Sequence, residues 1–441
     1  MEQRRKNLTQ LFIPICLETL LYMLSGMVDT LMLSSVNDQA VGAVGTANTY
    51  IGIFIIMFSV ISSGMVAVMT QNIGAGRPGV AYQARQLGLV FNAALGVIMS
   101  LFLSLGAGTI LSGVGVADAL MQPAKTYLQI VGGFCILNAL IPICSSYLRA
   151  FGFSKEPLYA SIIGNVINFC LNAFFLFVLH KGVAGVATAT VISRIINLVI
   201  VVLLGAVLVK AKQHPERESN RAVMGQIIRI GLPSACETAI YNVSMTLVIR
   251  FLNQMDAQGL NVTARSYTMQ ITNFSYCVGA ALAQANAIMT GWHIGAKEYD
   301  ACDRGTKKAA VIGVIVAVIL ETVFTLCSGW IMQLFSKDPQ MVSLVGKLLA
   351  IDIVLEIGRV TNLVYGQALK TSGDAVFPVV MGACFMILCS VGGTYLFGIR
   401  LGLLAVGAYI GMAGDECVRA VGMYLRWKSG KWKEKGLVKS R

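Results

Sequence analysis

Apolar residues run along this chain in twelve long stretches separated by short polar breaks. They fall at roughly 11–33, 44–70, 87–111, 126–148, 158–179, 183–209, 230–254, 263–292, 309–335, 340–369, 376–398 and 401–425. A bilayer core of about 30 Å takes about 20 mostly apolar residues per spanning helix. Each stretch therefore predicts one transmembrane helix, and the chain reads as an all-α membrane protein of about twelve helices with little mass outside the lipid.

The polar punctuation repeats. Pro14-Ile15-Cys16-Leu17-Glu18-Thr19-Leu20-Leu21-Tyr22 returns 219 residues later as Pro233-Ser234-Ala235-Cys236-Glu237-Thr238-Ala239-Ile240-Tyr241. At nearly the same offset Ile73-Gly74-Ala75-Gly76 is echoed by Ile294-Gly295-Ala296-Lys297, and Arg149 through Pro157 by Lys370 through Pro378. An even number of spans per copy gives both copies the same orientation, so these are two parallel six-helix repeats related by a pseudo-two-fold axis along the membrane normal. The expected organisation is an N-lobe at 1–209, a cytoplasmic linker at 210–229 that looks like a flexible joint, a C-lobe at 230–425 and a basic tail at 426–441. Such halves are expected to enclose a central cavity and to suit alternating access.

Composition agrees with lipid burial: 56% of residues are hydrophobic and 12% charged, against about 25% charged in an ordinary soluble domain. The net charge of +13 changes the picture only once its placement is read. The N-terminus, the loops after segments 2, 4, 6, 8 and 10, and the tail carry 24 of the 34 Lys and Arg. That alternation is the positive-inside pattern, which predicts cytoplasmic termini and a multi-pass protein of the cell membrane. The basic tail reads as a topology signal and lipid-headgroup contact, and no nucleic-acid partner is expected. The eleven Cys have no paired or metal-binding spacing and read as small hydrophobes.

A charge at the bilayer centre costs about 2.5 to 3.5 kcal/mol on insertion scales, so intramembrane carboxylates are functional candidates. There are eight: Glu18, Asp29, Glu237, Glu321, Asp352, Glu356, Asp415 and Glu416. Glu18 and Asp29 are eleven residues apart, on one face of the first helix, and such a stripe can pass a cation. Asn165, Asn168 and Asn172 share a face of the fifth segment. With Asp29 and the Thr190 hydroxyl, these amides can supply the oxygen ligands of a Na⁺ ion, or they can simply hydrogen-bond neighbouring helices. Glu18 with Tyr22, Glu237 with Tyr241, and Asp352 with Glu356 are candidates for a substrate or second cation site. An internal Glu356–Arg359 ion pair is the alternative for the last. Arg194, Arg250, Lys347 and Arg419 are expected to partner the carboxylates or to snorkel. The three His lie in loops, and no phosphate-binding loop is present, so the work is expected to come from an ion gradient rather than ATP.

These motifs resemble the multidrug and toxic compound extrusion (MATE) family. The resemblance rests on Met27-Val28-Asp29-Thr30, Asn72-Ile73-Gly74-Ala75-Gly76, Leu148-Arg149-Ala150-Phe151-Gly152 leading to Pro157, Gly182-Val183-Ala184-Gly185 with Ala189-Thr190, and Gly373-Asp374 leading to Pro378. It implies a V-shaped pair of lobes and a secondary antiporter, not an enzyme, that exchanges small organic compounds for H⁺ or Na⁺. It implies no cofactor beyond that ion, and the expected working unit is a monomer. Asp29 matches the family's cation-binding aspartate of the first helix. Asn168 and Asn172 match a fifth-helix pair whose second member is often Asp, and Thr190 matches a sixth-helix hydroxyl. With Asn at 172, a mechanism on two aspartates gives way to one carboxylate with amide and hydroxyl oxygens. The acidic candidates favour cationic or neutral substrates. A lipid-linked saccharide flippase of the same superfamily is the alternative within transport. A channel or receptor leaves the two parallel repeats unexplained.

Overall fold

The computed structural model describes residues 6–35, 38–113, 116, 118–256, 258–333 and 335–438. Among the described residues there is no strand, and the helices fall into twelve consecutive stretches matching the twelve apolar runs. The first six stretches are α1 (Leu8–Ser34), α2 (Asp38–Gly74), α3 (Pro78–Gly113), α4 (Asp118–Tyr127) continuing into α5 (Ile136–Ala150), α6 (Lys155–Ala173) and α7 (Gly182–Leu208). The second six are α8 (Asn220–Met255), α9 (Leu260–Gly295), α10 (Tyr299–Leu326) with the short α11 (Ser328–Met332), α12 (Pro339–Ser372), α13 (Val376–Phe385) and α14 (Leu404–Lys428).

Seven stretches are long and apolar enough to cross a membrane on composition alone, and α4–α5 makes an eighth, bent by 43° at the break. The others carry more charge, including Glu237 and Arg250 on α8, Asp352, Glu356 and Arg359 on α12, and Asp415, Glu416 and Arg419 on α14. Their charges are what hydropathy counts against them. Wide π-type turns follow α6 at Phe174–Val178 and follow α13 at Met386–Val391 and Thr394–Arg400.

Several helices outrun their apolar windows, because a chain in lipid satisfies its backbone within the helix and keeps doing so past the interface. The clearest case is α8, which begins at Asn220 rather than near 230. Val223, Ile227 and Ile230 recur at helical spacing and are buried, so this first part is an amphipathic helix. The preceding linker, expected to be a loose joint, is tied down: Arg77 Nη2 lies 2.6 Å from Glu218 Oε1, and Gln83 Nε2 donates to the Glu218 carbonyl at 2.7 Å.

The chain divides into two compact units, Met1–Gly231 and Leu232–Arg441. Within the first, α2 and the start of α8 meet backbone to backbone. A Cβ on Gly64 would stand 2.0 Å from the Ile227 carbonyl oxygen, and one on Gly231 would stand 1.7 Å from that of Val60. Small residues at such crossings are the membrane's way of gaining packing where no hydrophobic force separates helix from lipid. Away from the contacts, side chains such as Leu105 and Val207 point outward, as a lipid-facing surface requires.

The repeat is conformational as well as sequential. Gly76, after α2, takes a left-handed φ of 73°, and Lys297, its counterpart after α9, takes 61°. A lysine is held where glycine is the easy choice, so the turn geometry is imposed by its surroundings. Gly152 and Gly373 correspond in the same way at 86° and 100°. Between α8 and α9, Asp256 accepts backbone bonds from Leu260 at 2.8 Å and Asn261 at 3.1 Å. Desolvation pushes its carboxyl up, but these bonds outweigh it and hold the group below its ordinary range.

The tail is more ordered than its charge suggests. Residues 429–438 fold back onto the second unit, with Lys431 and Lys433 left exposed. Trp432 stacks on Trp427 with ring centroids 4.1 Å apart and is 1% exposed. Lys435 Nζ and Arg426 Nε reach Asp374 at 3.3 and 2.7 Å. Two large aromatic rings have more apolar area to bury than the interface with water can accept, and that area decides the tail's course. Residues 439–441 of the expected tail lie outside the described residues.

Candidate functional site

In the first unit the candidates converge on α1 and α6. Asn172 Nδ2 donates to Asp29 Oδ1 at 2.7 Å and to Asn168 Oδ1 at 3.2 Å. The spacing of 168 and 172 places both amides on one face of α6, and the last third of α1 brings Asp29 to them. Asn172 is fully buried, and its Oδ1 has no hydrogen-bond partner. A buried amide oxygen left unpaired beside a carboxylate has been desolvated without compensation, and it is the kind of hard oxygen that Na⁺ seeks. The residues present therefore fit a small cation.

Thr190, on α7, is buried one turn before Arg194, and its hydroxyl donates to the Val186 carbonyl at 2.9 Å, leaving the oxygen's lone pairs available. The Arg194 guanidinium acts electrostatically on Asp29, in keeping with its expected role as a partner. Sequence reasoning missed Tyr127 and Asn48. Tyr127 is buried, bonds to Asn48, and lies within the fields of Arg194 and Asp29. Neither residue carries a charge or a helix-face pattern that would have singled it out. The third asparagine, Asn165, turns to the Leu21 carbonyl at 3.4 Å.

Glu18 does not join Asp29 in a working stripe. Its Oε2 is held by Arg149 Nη2 at 2.6 Å, and Ser161 approaches Oε1 at 3.5 Å. Tyr22 is 68% exposed. In the second unit Glu237 is paired with Lys370 at 2.5 Å, and Tyr241 is partly exposed near Arg359. The partners of the two repeat glutamates are thus Arg149 and Lys370, not any of the four basic residues singled out for that role.

Asp352 and Glu356 are buried on α12, and Glu321 reaches them from α10, with carboxylate oxygens of the three within 4.8 Å of one another. Arg359 bonds to Glu356, so the internal pair expected from the sequence does form. It also reaches Glu416 at 3.8 Å, while Arg419 holds Asp415 and Glu416 at 2.8 Å each. Helical spacing links 352, 356 and 359, but nothing in the sequence ties Glu321 to them.

Residues 14–174 and 233–396 match the MatE family model, one match on each repeat. The chain belongs to the MatE family. It is 34% identical over 431 residues to the uncharacterized transporter YisQ of Bacillus subtilis (strain 168), covering 96% of this chain and 94% of that protein. It is 23% identical to the probable multidrug resistance protein NorM of Thermotoga maritima, over 98% and 94% of the two chains. Its fold superposes on an outward-facing multidrug resistance MATE family transporter of the MOP superfamily with a TM-score of 0.86, at 18% identity and covering 98% of this chain and 96% of that one. This MATE family member is a membrane-embedded efflux transporter, built on the helical fold that the repeat predicted.

Proposed function

We propose that the protein is a secondary antiporter of the cell membrane that exports small organic compounds, cationic or neutral, in exchange for H⁺ or Na⁺. Asp29 is the principal cation site, with Asn168, Asn172 and Thr190 as its neighbours. The observation that carries this reading is the Asp29–Asn172 contact, where a carboxylate and an unspent buried amide oxygen meet in one place. Without the cation, the Asn172 amide and the field of Arg194 hold Asp29. A proton or Na⁺ arriving there competes with that arrangement, and its occupancy is what the gradient sets. Each charge moved is worth about 2.3 kcal/mol per 100 mV, enough to drive substrate uphill. The alternation of basic loops supports cytoplasmic termini, and the relatives named for multidrug resistance support small organic substrates.

The deciding experiment is efflux of an organic cation dye from proteoliposomes carrying the purified chain, with Na⁺ and proton gradients imposed separately. Dye movement driven by one gradient and dissipated with it is the expected result. Movement indifferent to both gradients would defeat the antiporter reading.

A further inference from the structure

The covalent path between the two units runs through the interior of a helix. α8 is continuous from Asn220 to Met255, yet the first unit ends at Gly231 and the second begins at Leu232. The residues ahead of that boundary are fastened to the first unit in three ways. Side chains hold the linker: Arg217 Nη1 donates to the Gly79 carbonyl at 3.0 Å, and Arg77 pairs with Glu218. The buried Gln83 side chain accepts from the Glu218 amide at 3.0 Å and donates to Asn220 Oδ1 at 2.6 Å. Val223, Ile227 and Ile230 then bury one face of the helix, and the Gly64–Ile227 and Gly231–Val60 crossings hold its backbone against α2. A segment held by side chains, burial and backbone contact at once is a poor joint.

Just past the last of these holds the helix is weakest. Pro233 lies well inside α8, where its missing N–H leaves the Arg229 carbonyl without its helical donor. Sharp helix kinks gather at proline above all. Gly231 has the backbone freedom that a bend uses, and Leu232 between them is 53% exposed, so little packing opposes movement there. The first repeat lacks this combination. Pro14 is the counterpart of Pro233, but Phe12 stands where the second copy has Gly231, and the whole of α1 lies within the first unit. Proline belongs to both copies of the motif, and glycine joins it in the copy where the chain changes units.

We propose that Gly231, Leu232 and Pro233 form the hinge of the transport cycle, and that residues 214–219 are a rigid extension of the first unit. The Val60 contact makes Gly231 the fixed side of the hinge, and the rest of α8 is the arm that swings. That arm is about 33 Å long, so a bend of about 10° moves its far end by about 6 Å. Hinges of this kind need only a few residues that absorb the change in φ and ψ. The use of the bend in transport rests on the antiporter reading above, whereas the bend itself is a property of α8.

The test stiffens the two candidate joints separately in the full-length chain. Gln83→Cys with Asn220→Cys, bridged by a short bis-methanethiosulfonate, pins the linker to α3. Dye efflux is expected to stay within about twofold of the wild type treated in parallel, whereas a loss of about tenfold or more would make the linker the joint and overturn the proposal. Pro233→Ala restores the bond to the Arg229 carbonyl and stiffens α8. It should slow efflux by about fivefold or more while dye binding holds and the melting temperature stays or rises. Hydrogen exchange gives a readout free of transport. In the wild type, peptides covering 231–237 are expected to exchange at least about tenfold faster than those covering 221–229, and Pro233→Ala should close that gap. A wild type that moves no dye under either gradient fails the export reading, and the exchange measurement then decides the hinge. Uniform protection along α8 in the wild type, or a Pro233→Ala protein with unchanged exchange and unchanged efflux, overturns it.

Discussion

The Lys370 ammonium lies 2.5 Å from Glu237 Oε2, and the same contact occurs one repeat earlier, where Arg149 Nη2 lies 2.6 Å from Glu18 Oε2. Each half thus ties the repeated motif of its first stretch to the last helical turn of its fourth stretch with one ion pair. All four side chains are only 11–15% exposed. At that depth a charge without its partner costs more than a surface charge, since little water replaces the lost contact.

Removing one partner should therefore be worse than reversing both. Glu237→Gln is expected to cost on the order of 2 kcal/mol and to lower the melting temperature in detergent. The exchange Glu237→Lys with Lys370→Glu should recover part of that loss, and the double-mutant cycle measures the coupling. Because Lys370 already occupies Glu237, the single variant should leave the cation dependence of efflux unchanged. A marked shift in that dependence with no loss of stability would show that Glu237 is a cation ligand instead.

The glycine crossing of the first unit predicts a sharp contrast between substitutions. Gly231→Ala places a methyl 1.7 Å from the Val60 carbonyl oxygen, so α2 and α8 must separate. Overpacking of this kind costs about 1–3 kcal/mol. Gly26→Ala on α1 meets nothing within 4 Å and should be neutral or stabilising, because alanine restricts the unfolded chain. Monodispersity of the two variants by fluorescence-detected size exclusion checks this. Equal behaviour would mean that the crossing has slack.

The tail offers a third check. Trp432 packs face to face on Trp427, and its Nε1 donates to the Trp427 carbonyl at 2.9 Å. Trp432→Ala is expected to destabilise the second unit by about 3 kcal/mol or more and to expose residues 429–438 to limited proteolysis. If protection instead depends on anionic lipid and is indifferent to Trp432, headgroup contact governs the tail after all.

How much of this was legible beforehand follows from the range of each interaction. The twelve helices were readable because lipid burial writes itself into runs of some twenty residues, and the repeat because Pro14 and Pro233 open near-identical motifs. Pairings between distant helices were not. Arg149 is 131 residues from Glu18, and Asn172 is 143 from Asp29. The second pairing was anticipated as one possible ion shell from its oxygen chemistry and again through family resemblance, while the first was missed. Glu321 stood out as an intramembrane carboxylate, but no periodicity within α10 says that it reaches Asp352 on α12. The linker was misjudged because its charges concealed the Val223, Ile227 and Ile230 face. The tail's charge likewise hid its two buried tryptophans.

The strongest prediction concerns Asp29 and Asn172 together. Asp29→Asn keeps the shape of the side chain but removes its charge and its titratable proton, so ion-driven efflux should fall to the level of empty liposomes while expression and folding hold. Asn172→Asp does the reverse. It puts a second carboxylate where the amide now sits 2.7 Å from Asp29. Two carboxylates that close cannot both be ionised, and they share a proton, as paired acids do elsewhere. That variant should work better with a proton gradient than with Na⁺, and its efflux should decline as pH rises and the shared proton is lost. The bland alternative is that Asp29 serves only to hold α1 against α6 through Asn172 and the field of Arg194. In that case Asp29→Asn should be lost at the folding stage, and any folded fraction should transport at the wild-type rate per molecule. Measuring melting temperature and gradient-driven efflux on the same preparations separates the two. A well-folded Asp29→Asn protein that still couples dye export to either gradient removes Asp29 from the mechanism and leaves Glu356, with its free Oε2, as the carboxylate to examine next.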